Sequence, residues 1–350
     1  MLSGNFCNFA TLKYKILKRV MKNKCLIIMA AACLLLAACN KNKTAADDSA
    51  IVNYNEVKTP LFNADSAYHF VKVQCDFGPR VPQSKSAENC AQWLISYLKS
   101  KADTVYVQEF TSELWNGEKV KGKNIIASFN IEATDRVLFA SHWDSRLWAD
   151  HDPNPDNHKK PISGANDGAS GVGVLLEVAR LMKDCNTRQG LDIVLFDLED
   201  QGTPAWEEEK NEEQNDWCLG SQFWAQNLHI PYYRAKYGIL LDMVGYKELR
   251  FTKEMQSMGY ASSIMNNVWN IARDLGYGDI FTDGGYNSVM DDHIWINHYA
   301  NIPTIDIVQN SVGTSFFPHW HTTQDDISCI DKHSLEVVGK VILVSFFAAE

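Results

Sequence analysis

Acidic and imidazole side chains recur in short clusters along this 350-residue chain. His142 and Asp144 form one cluster. Asp167 lies in the turn Gly164-Ala165-Asn166-Asp167-Gly168-Ala169-Ser170-Gly171. Glu199 and Asp200 are adjacent, Asp242 ends an apolar run, and His321 comes late in the chain. Carboxylates and imidazoles without thiolates are the donor set of zinc or a harder cation. A catalytic zinc keeps about three protein ligands and an open position. The pair Glu199-Asp200 suits that chemistry: one carboxylate can hold the cation while its neighbour, titrating nearer neutrality, moves a proton. Each cluster also has a plainer reading. Asp167 alone is a helix cap, a single Glu-Asp pair is a solvated turn, and Asp291-Asp292 complements a helix dipole. Small residues around Asp167 would let the backbone approach whatever it holds.

The elements around these residues decide between the readings. β-branched, aromatic and apolar runs predict strands at 104–110, 123–131, 136–140, 191–196, 237–241 and 302–308. Helical periodicity is expected across 64–101, interrupted by Phe77-Gly78-Pro79-Arg80, and at 172–182, 221–228, 262–275 and 335–347. Asp291-Asp292-His293 opens a further short helix. This alternation predicts an α/β fold: a mixed, centrally parallel β-sheet flanked by helices, in a single domain. Ligands of such sheets sit beyond the carboxyl ends of the strands. His142, Asp144, Glu199, Asp200 and Asp242 all follow strand ends, Asp167 opens a helix on the same rim, and a long loop can return His321 to it. The polar stretch 145–163 is long for a connection and reads as a functional loop. Residues 203–217 form an acidic insert.

Composition excludes some partners. The net charge is −10, yet residues 1–38 hold six Lys or Arg and no acid, so removing them leaves 27 basic against 43 acidic residues, a net −16. With no basic stripe, nucleic acid is not an expected partner. Residues 1–38 read as a signal region, with 1–20 upstream of the true start at Met21-Lys22-Asn23-Lys24. The apolar stretch is too short for a membrane span. Leu36-Ala37-Ala38-Cys39 resembles a bacterial lipobox. Cys39 is therefore expected to carry lipid, with 39–55 as a tether, 56–350 as the catalytic domain, and a place in the cell envelope, at the periplasmic face or the outer surface. Contact with the membrane would be through that lipid only. The remaining Cys75, Cys90, Cys185, Cys218 and Cys329 show no CxxC spacing, which argues against a zinc thiolate site. An oxidising compartment permits a disulfide, for example between Cys75 and Cys90.

The ordered set His142-x-Asp144, Gly164-Ala165-Asn166-Asp167, Glu199-Asp200, Leu241-Asp242-Met243 and His321 resembles zinc-dependent aminopeptidases of the bacterial leucyl aminopeptidase type, over roughly residues 77–326. Four details are more similar to the glutaminyl-peptide cyclotransferases, the animal-type glutaminyl cyclases that share this zinc aminopeptidase-like fold. They are Phe77-Gly78-Pro79-Arg80, Asp291-Asp292-His293, Trp320 directly before His321, and the loop Ser315-Phe316-Phe317-Pro318 leading to Trp320-His321-Thr322 and Asp325-Asp326. The resemblance implies one zinc held by Asp167, Asp200 and His321, with Glu199 as general acid/base and Asp242 and Asp291 hydrogen-bonded beside it. Trp320 would be the aromatic wall of the substrate pocket, and a second pocket tryptophan after the acidic pair would be Trp206. The second metal-binding acid is usually Glu in that family and is Asp200 here, so the metal would sit nearer the strand end.

A cyclase would convert the N-terminal Gln of peptides or proteins to pyroglutamate and release ammonia. An aminopeptidase would need two metals and a water, with His142 and Asp242 around a second ion and Asp167 bridging; His142 and Asp144 are second-metal or pocket residues by position. A third expectation, a lipoprotein that binds a partner without catalysis, would show a broken metal set, whereas Asp167, Glu199, Asp200 and His321 are all present.

Overall fold

The computed structural model describes residues 53–207, 215–284, 287–310 and 316–349. The expected signal region, Cys39 and the expected tether up to 52 lie outside these residues, as do Ser315 and residues 208–214 of the acidic insert, including Glu208 and Glu209. The described residues from Asn53 onward belong to one compact unit. A 3₁₀ turn at Tyr54–Glu56 packs on a later helix through Tyr54 to Asn267 (2.5 Å) and Asn55 to the Asp274 carbonyl (2.9 Å).

Six strands form the main sheet: β1 (Thr104–Glu113), β2 (Lys119–Phe129), β3 (Arg136–His142), β4 (Gly190–Phe196), β5 (Gly238–Asp242) and, last in the chain, β8 (Thr304–Val308). Their order is β1-β2-β4-β3-β5-β8. β1 and β2 are an antiparallel hairpin on the edge, and β4, β3, β5 and β8 run parallel. Two short strands, β6 (Phe251–Thr252) and β7 (Phe281–Thr282), pair separately. The helices are α1 (Ala64–Asp76), α2 (Lys85–Lys99), α3 (Ala169–Met182), α4 (Leu219–Gln226), α5 (Met255–Asp274), α6 (Asp292–Trp295) and α7 (Lys332–Ala348).

Alternate strand residues enter two cores. Ile125, Ala127, Val137 and Phe139 join the larger one with α1, α2, α3, α5 and α7, whereas Ile126, Leu138 and Ala140 pack with Trp224 of α4 and Ile296. Helices thus cover both faces, which explains the nearly continuous apolar runs of the parallel strands. Helix α5 starts seven residues before its expected position. Glu254 caps it by accepting from the Gln256 and Ser257 N–H groups, a signal that apolar periodicity does not carry. The five cysteines after Cys39 are free thiols, so the disulfide that the sequence permits is not formed.

The sheet has a switch point between β3 and β5. The connection leaving β3 passes to β4 on one side, whereas the one leaving β5 passes to β8 on the other. Crossovers that diverge in this way leave a crevice at the carboxyl ends of the two strands. β3 ends on His142 and β5 ends on Asp242.

Candidate active site

Across that crevice His142 Nε2 lies 3.2 Å from Asp242 Oδ1 and 3.1 Å from Asp167 Oδ1. His321 Nε2 lies 3.0 Å from Asp200 Oδ1 and 3.7 Å from Asp167 Oδ2. All five side chains are buried. A narrow cavity of about 50 Å³ is lined by Asp167, Glu199, Asp200, Asp242 and Asp291 on its acidic side, and by Trp217, Phe316 and Trp320 on its aromatic side. A larger groove of about 520 Å³ beside α2 contains one buried acid, Asp197, and no imidazole. The chemistry singles out the smaller cavity.

Backbone geometry explains how the acids arrive there. Asp167 precedes Gly168, whose φ is +92°. A β-carbon at Gly168 would meet the Asp144 carbonyl oxygen at 2.6 Å and His142 Cε1 at 3.0 Å. This glycine is therefore required by the packing of β3 against the turn, not by a ligand's approach to Asp167. The turn itself is pinned twice. Asp325 accepts from the Asn166 and Asp167 N–H groups (2.7 and 3.1 Å). Arg80, fully buried, donates to the Trp143, Ser163 and Gly164 carbonyls (2.8, 2.6 and 2.8 Å). The Phe77-Gly78-Pro79-Arg80 motif thus acts on the site by holding the turn that carries Asp167.

Asp144 has a similar part and does not line the cavity. Its carboxylate accepts from the Glu199 and Asp200 N–H groups, both at 3.2 Å, and from Gln201 at 2.9 Å. Of the eight non-glycine residues with positive φ among the described residues, four stand at the site: Leu198 before Glu199, Cys218, Met243 after Asp242, and His321. Such conformations cost about 1–3 kcal/mol each and persist where the surroundings enforce them.

Burial without enough cations sets the electrostatics. Glu199 is raised well above the usual carboxylate range by burial and by Asp291 and Asp200, against the lowering effect of His142. Asp291 is pushed up to about 7 by burial and by Asp242, and Asp242 to about 6 by burial and by Asp167 and Asp200. His142 runs the other way. Burial would lower it, but Asp144, Asp167 and Asp242 raise it well above its ordinary value.

Two tryptophans frame His321. Trp320 stacks on it (3.6 Å between ring centroids), and Trp217 lies parallel on it at 6.0 Å. Trp217 is the pocket tryptophan of the insert. Trp206 is 40% exposed and packs edge-on against Trp148. The alignment expected from the sequence put Trp206 in that place because the insert hides the register. Asp150 and Arg146 were also not foreseen: His321 Nδ1 lies 3.4 Å from Asp150 Oδ1, and Arg146 grips Asp150 at 2.8 and 2.5 Å. Their i,i+4 spacing inside a long polar loop was the available signal. Behind Asp291 lie Asp292, His293 and Asp306, with His293 Nε2 3.3 Å from Glu254. An acid inside the apolar strand β8 was the visible clue to that layer.

The donor atoms of Asp167, Asp200 and His321 lie within 4.8 Å of one another, and Asp200 Oδ2 is buried without a hydrogen-bond partner. Two carboxylates and an imidazole, with one buried carboxylate oxygen left unpartnered, fit zinc. His142, Asp167 and Asp242 form a second such group, sharing Asp167.

The family model described as peptidase family M28 matches residues 124–346. The chain belongs to this family. Among solved structures, the glutaminyl cyclase of Bacteroides thetaiotaomicron, bound to N-acetylhistamine, is 44% identical with a TM-score of 0.81, and the match covers 83% of this chain and 99% of that one. A Zn-dependent exopeptidase from Parabacteroides distasonis is 45% identical with a TM-score of 0.80, over 82% and 98% of the two chains. Aminopeptidase YwaD of Bacillus subtilis is 25% identical over 326 residues, which is 88% of this chain but 59% of that protein's length. The M28 chain described here therefore has cyclases and exopeptidases alike among its relatives, and the fold expected from the sequence is the fold of the family.

Proposed function

We propose that this M28 enzyme is a glutaminyl-peptide cyclotransferase that closes the N-terminal Gln of peptides or proteins to pyroglutamate, with one zinc held by Asp167, Asp200 and His321. The observation that carries this reading is the Asp291–Asp242–Glu199 cluster lining a small pocket together with Trp217, Phe316 and Trp320. Bound zinc supplies Lewis-acid polarisation of the Gln side-chain carbonyl. Trp217, Phe316 and Trp320 hold the side chain and keep bulk water out. Glu199 accepts a proton from the substrate α-amine as its nitrogen bonds to the carbonyl carbon of the Gln side-chain amide. Glu199 then returns that proton to the departing amide nitrogen as the bond between it and the side-chain carbonyl carbon breaks and ammonia leaves. Nucleophile and electrophile belong to one residue, so orientation supplies much of the rate. Asp242 and Asp291, sharing protons near neutrality, hold Glu199's surroundings.

A second reading, a two-metal aminopeptidase, has one specific observation in its favour, the His142, Asp167 and Asp242 group. Against it, the cavity is only about 50 Å³ and is walled by Trp217, Phe316 and Trp320, which suits a single small side chain such as Gln. The deciding experiment offers the protein a Gln-initiated dipeptide. Ammonia and a pyroglutamyl product are expected, with near one zinc per chain. Free Leu or Ala from peptides beginning with those residues, no pyroglutamate, and near two zinc per chain would establish the peptidase instead. The envelope location and the lipid on Cys39 belong to the same proposal, and palmitate labelling that survives in the parent and is lost in Cys39→Ala tests them.

A further inference from the structure

Glu199 must present one oxygen to the substrate, yet a glutamate side chain has three rotatable bonds and no reason of its own to stop at one orientation. Its backbone is fixed by Asp144, which leaves the carboxylate itself to be held. Cys218 Sγ lies 3.2 Å from Glu199 Oε1. Among the described residues this thiol is the only hydrogen-bond donor to that carboxylate, and the other oxygen, Oε2, comes no nearer than 4.0 Å to His142 Nδ1.

The placement of the thiol is built into the chain. The Cys218 N–H donates to the Glu199 carbonyl (2.9 Å) and the Leu219 N–H to that of Leu198 (3.0 Å), so the two segments are joined by consecutive backbone bonds. Cys218 holds a left-handed conformation, φ +57°, at the start of α4, and Leu198 does the same at φ +57° beside Glu199. Two residues with side chains in a region that few such residues adopt face one another where Glu199 needs support. Cys218 is wholly buried and does not line the cavity, so it cannot touch substrate.

We propose that Cys218 is a positioning residue for Glu199, whose thiol fixes one carboxylate oxygen against the wall so that the other is aimed at the substrate amine. This rests on the reading of Glu199 as the group that carries the proton. A thiol is a weak donor, so it restrains direction without competing strongly for the carboxylate's electrons. Burial, with Glu199, Asp292 and Asp291 alongside, raises the Cys218 thiol well above its ordinary value, and it stays protonated as a donor.

Cys218→Ala and Cys218→Ser, assayed on a Gln-initiated dipeptide, test the assignment. Cys218→Ala is expected to lower kcat by about tenfold, because a reacting group loses its orientation, with KM, zinc content and melting temperature held. Cys218→Ser keeps a donor and recovers most of kcat. A Cys218→Ala variant with the parent's kcat, a Ser variant as impaired as Ala, or a kcat loss that merely tracks lost zinc or lost stability would overturn it. Should Cys218→Ala not fold, the infrared S–H stretch decides. The band absent from Cys218→Ser must move to the frequency of a free thiol in Glu199→Ala, and an unmoved band overturns the assignment. That measurement involves no turnover, so it stands apart from whether the parent cyclises Gln peptides or hydrolyses others.

Discussion

Asp150 stands 3.4 Å from His321 Nδ1, on the side of the imidazole away from Asp200. Arg146 holds both oxygens of Asp150 and also donates to the Asp200 carbonyl at 3.0 Å. One guanidinium therefore ties together the partner of one proposed zinc ligand and the backbone of another. A carboxylate behind a metal-binding imidazole fixes its tautomer and raises its basicity. Arg146 keeps Asp150 ionised for this. Burial alone would raise Asp150, but the hydrogen bonds and charges of Arg146 and His321 hold it far below the usual range.

Asp150→Asn should therefore weaken zinc binding by about 10–100-fold. Competition with a chromophoric chelator measures it. At saturating zinc the variant should recover most of the parent's turnover, because Asp150 does not reach the cavity. Unchanged zinc affinity would leave Asp150 as a partner of Arg146 alone.

Glu199→Gln separates the two adjacent acids. Glutamine keeps the size of Glu199 but cannot take up a proton, so turnover should fall by a factor on the order of 10² or more while bound zinc stays near the parent's content. Simultaneous loss of zinc, read by metal analysis of the dialysed variant, would mean that Glu199 rather than Asp200 is the ligand.

The contrast between the two tryptophans of the insert is a third test. Trp217 lies parallel to His321, and the Arg146 guanidinium sits 4.5 Å over its ring. Trp206 touches Trp148 and solvent. Trp217→Ala should raise KM by roughly an order of magnitude, as expected when an aromatic pocket wall worth a kcal/mol or more is removed. Trp206→Ala should leave kcat/KM close to the parent. Equal effects would mean that Trp206 acts on the pocket as much as Trp217 does.

These residues also mark where the sequence is legible. His142, Glu199, Asp200 and Asp242 could be found because a parallel sheet gathers strand ends at one edge, and strands with apolar runs are easy to recognise. Asp167, a helix cap when its turn is read alone, joined them because that turn opens a helix on the same rim. Asp150 sits in a loop, Trp217 at the end of the insert and Cys218 at the junction with α4, where no periodicity says which way a side chain points. Asp144 looked like a pocket residue by its position and proved to be a bracket for the Glu199-Asp200 backbone, a distinction that hydrogen-bond directions make and spacing does not. Glu254 shifted the start of α5 because a glutamate is an uncommon helix cap.

Removing the metal should expose the cost of this acidic cluster in a particular pH window. In the metal-free protein burial is the largest influence on Asp200, Asp242, Asp291 and Asp325, with neighbouring carboxylates adding to it, and the four are pushed up to about 6, 6, 7 and 7. Unfolded, the same groups titrate near 3.8. Between pH 4 and 7, roughly, the folded state therefore binds more protons than the unfolded one, and its stability falls as pH rises. His142, raised in the fold, acts in the same direction. Glu254 opposes them only at lower pH. Burial would raise it, but the hydrogen bond and charge of His293 and the Ser257 and Gln256 N–H groups hold it at about 2, so its contribution is present above about 4.5 and lost as pH falls toward 2. Zinc reverses the balance, because it requires Asp167 and Asp200 ionised and His321 unprotonated. The difference in melting temperature between zinc-loaded and chelator-treated protein should be small at pH 5 and large at pH 8, with the metal-free form melting lower at pH 8 than at pH 5. A metal-free form that is more stable at pH 8 would show that these carboxylates are not held against their charge by the fold.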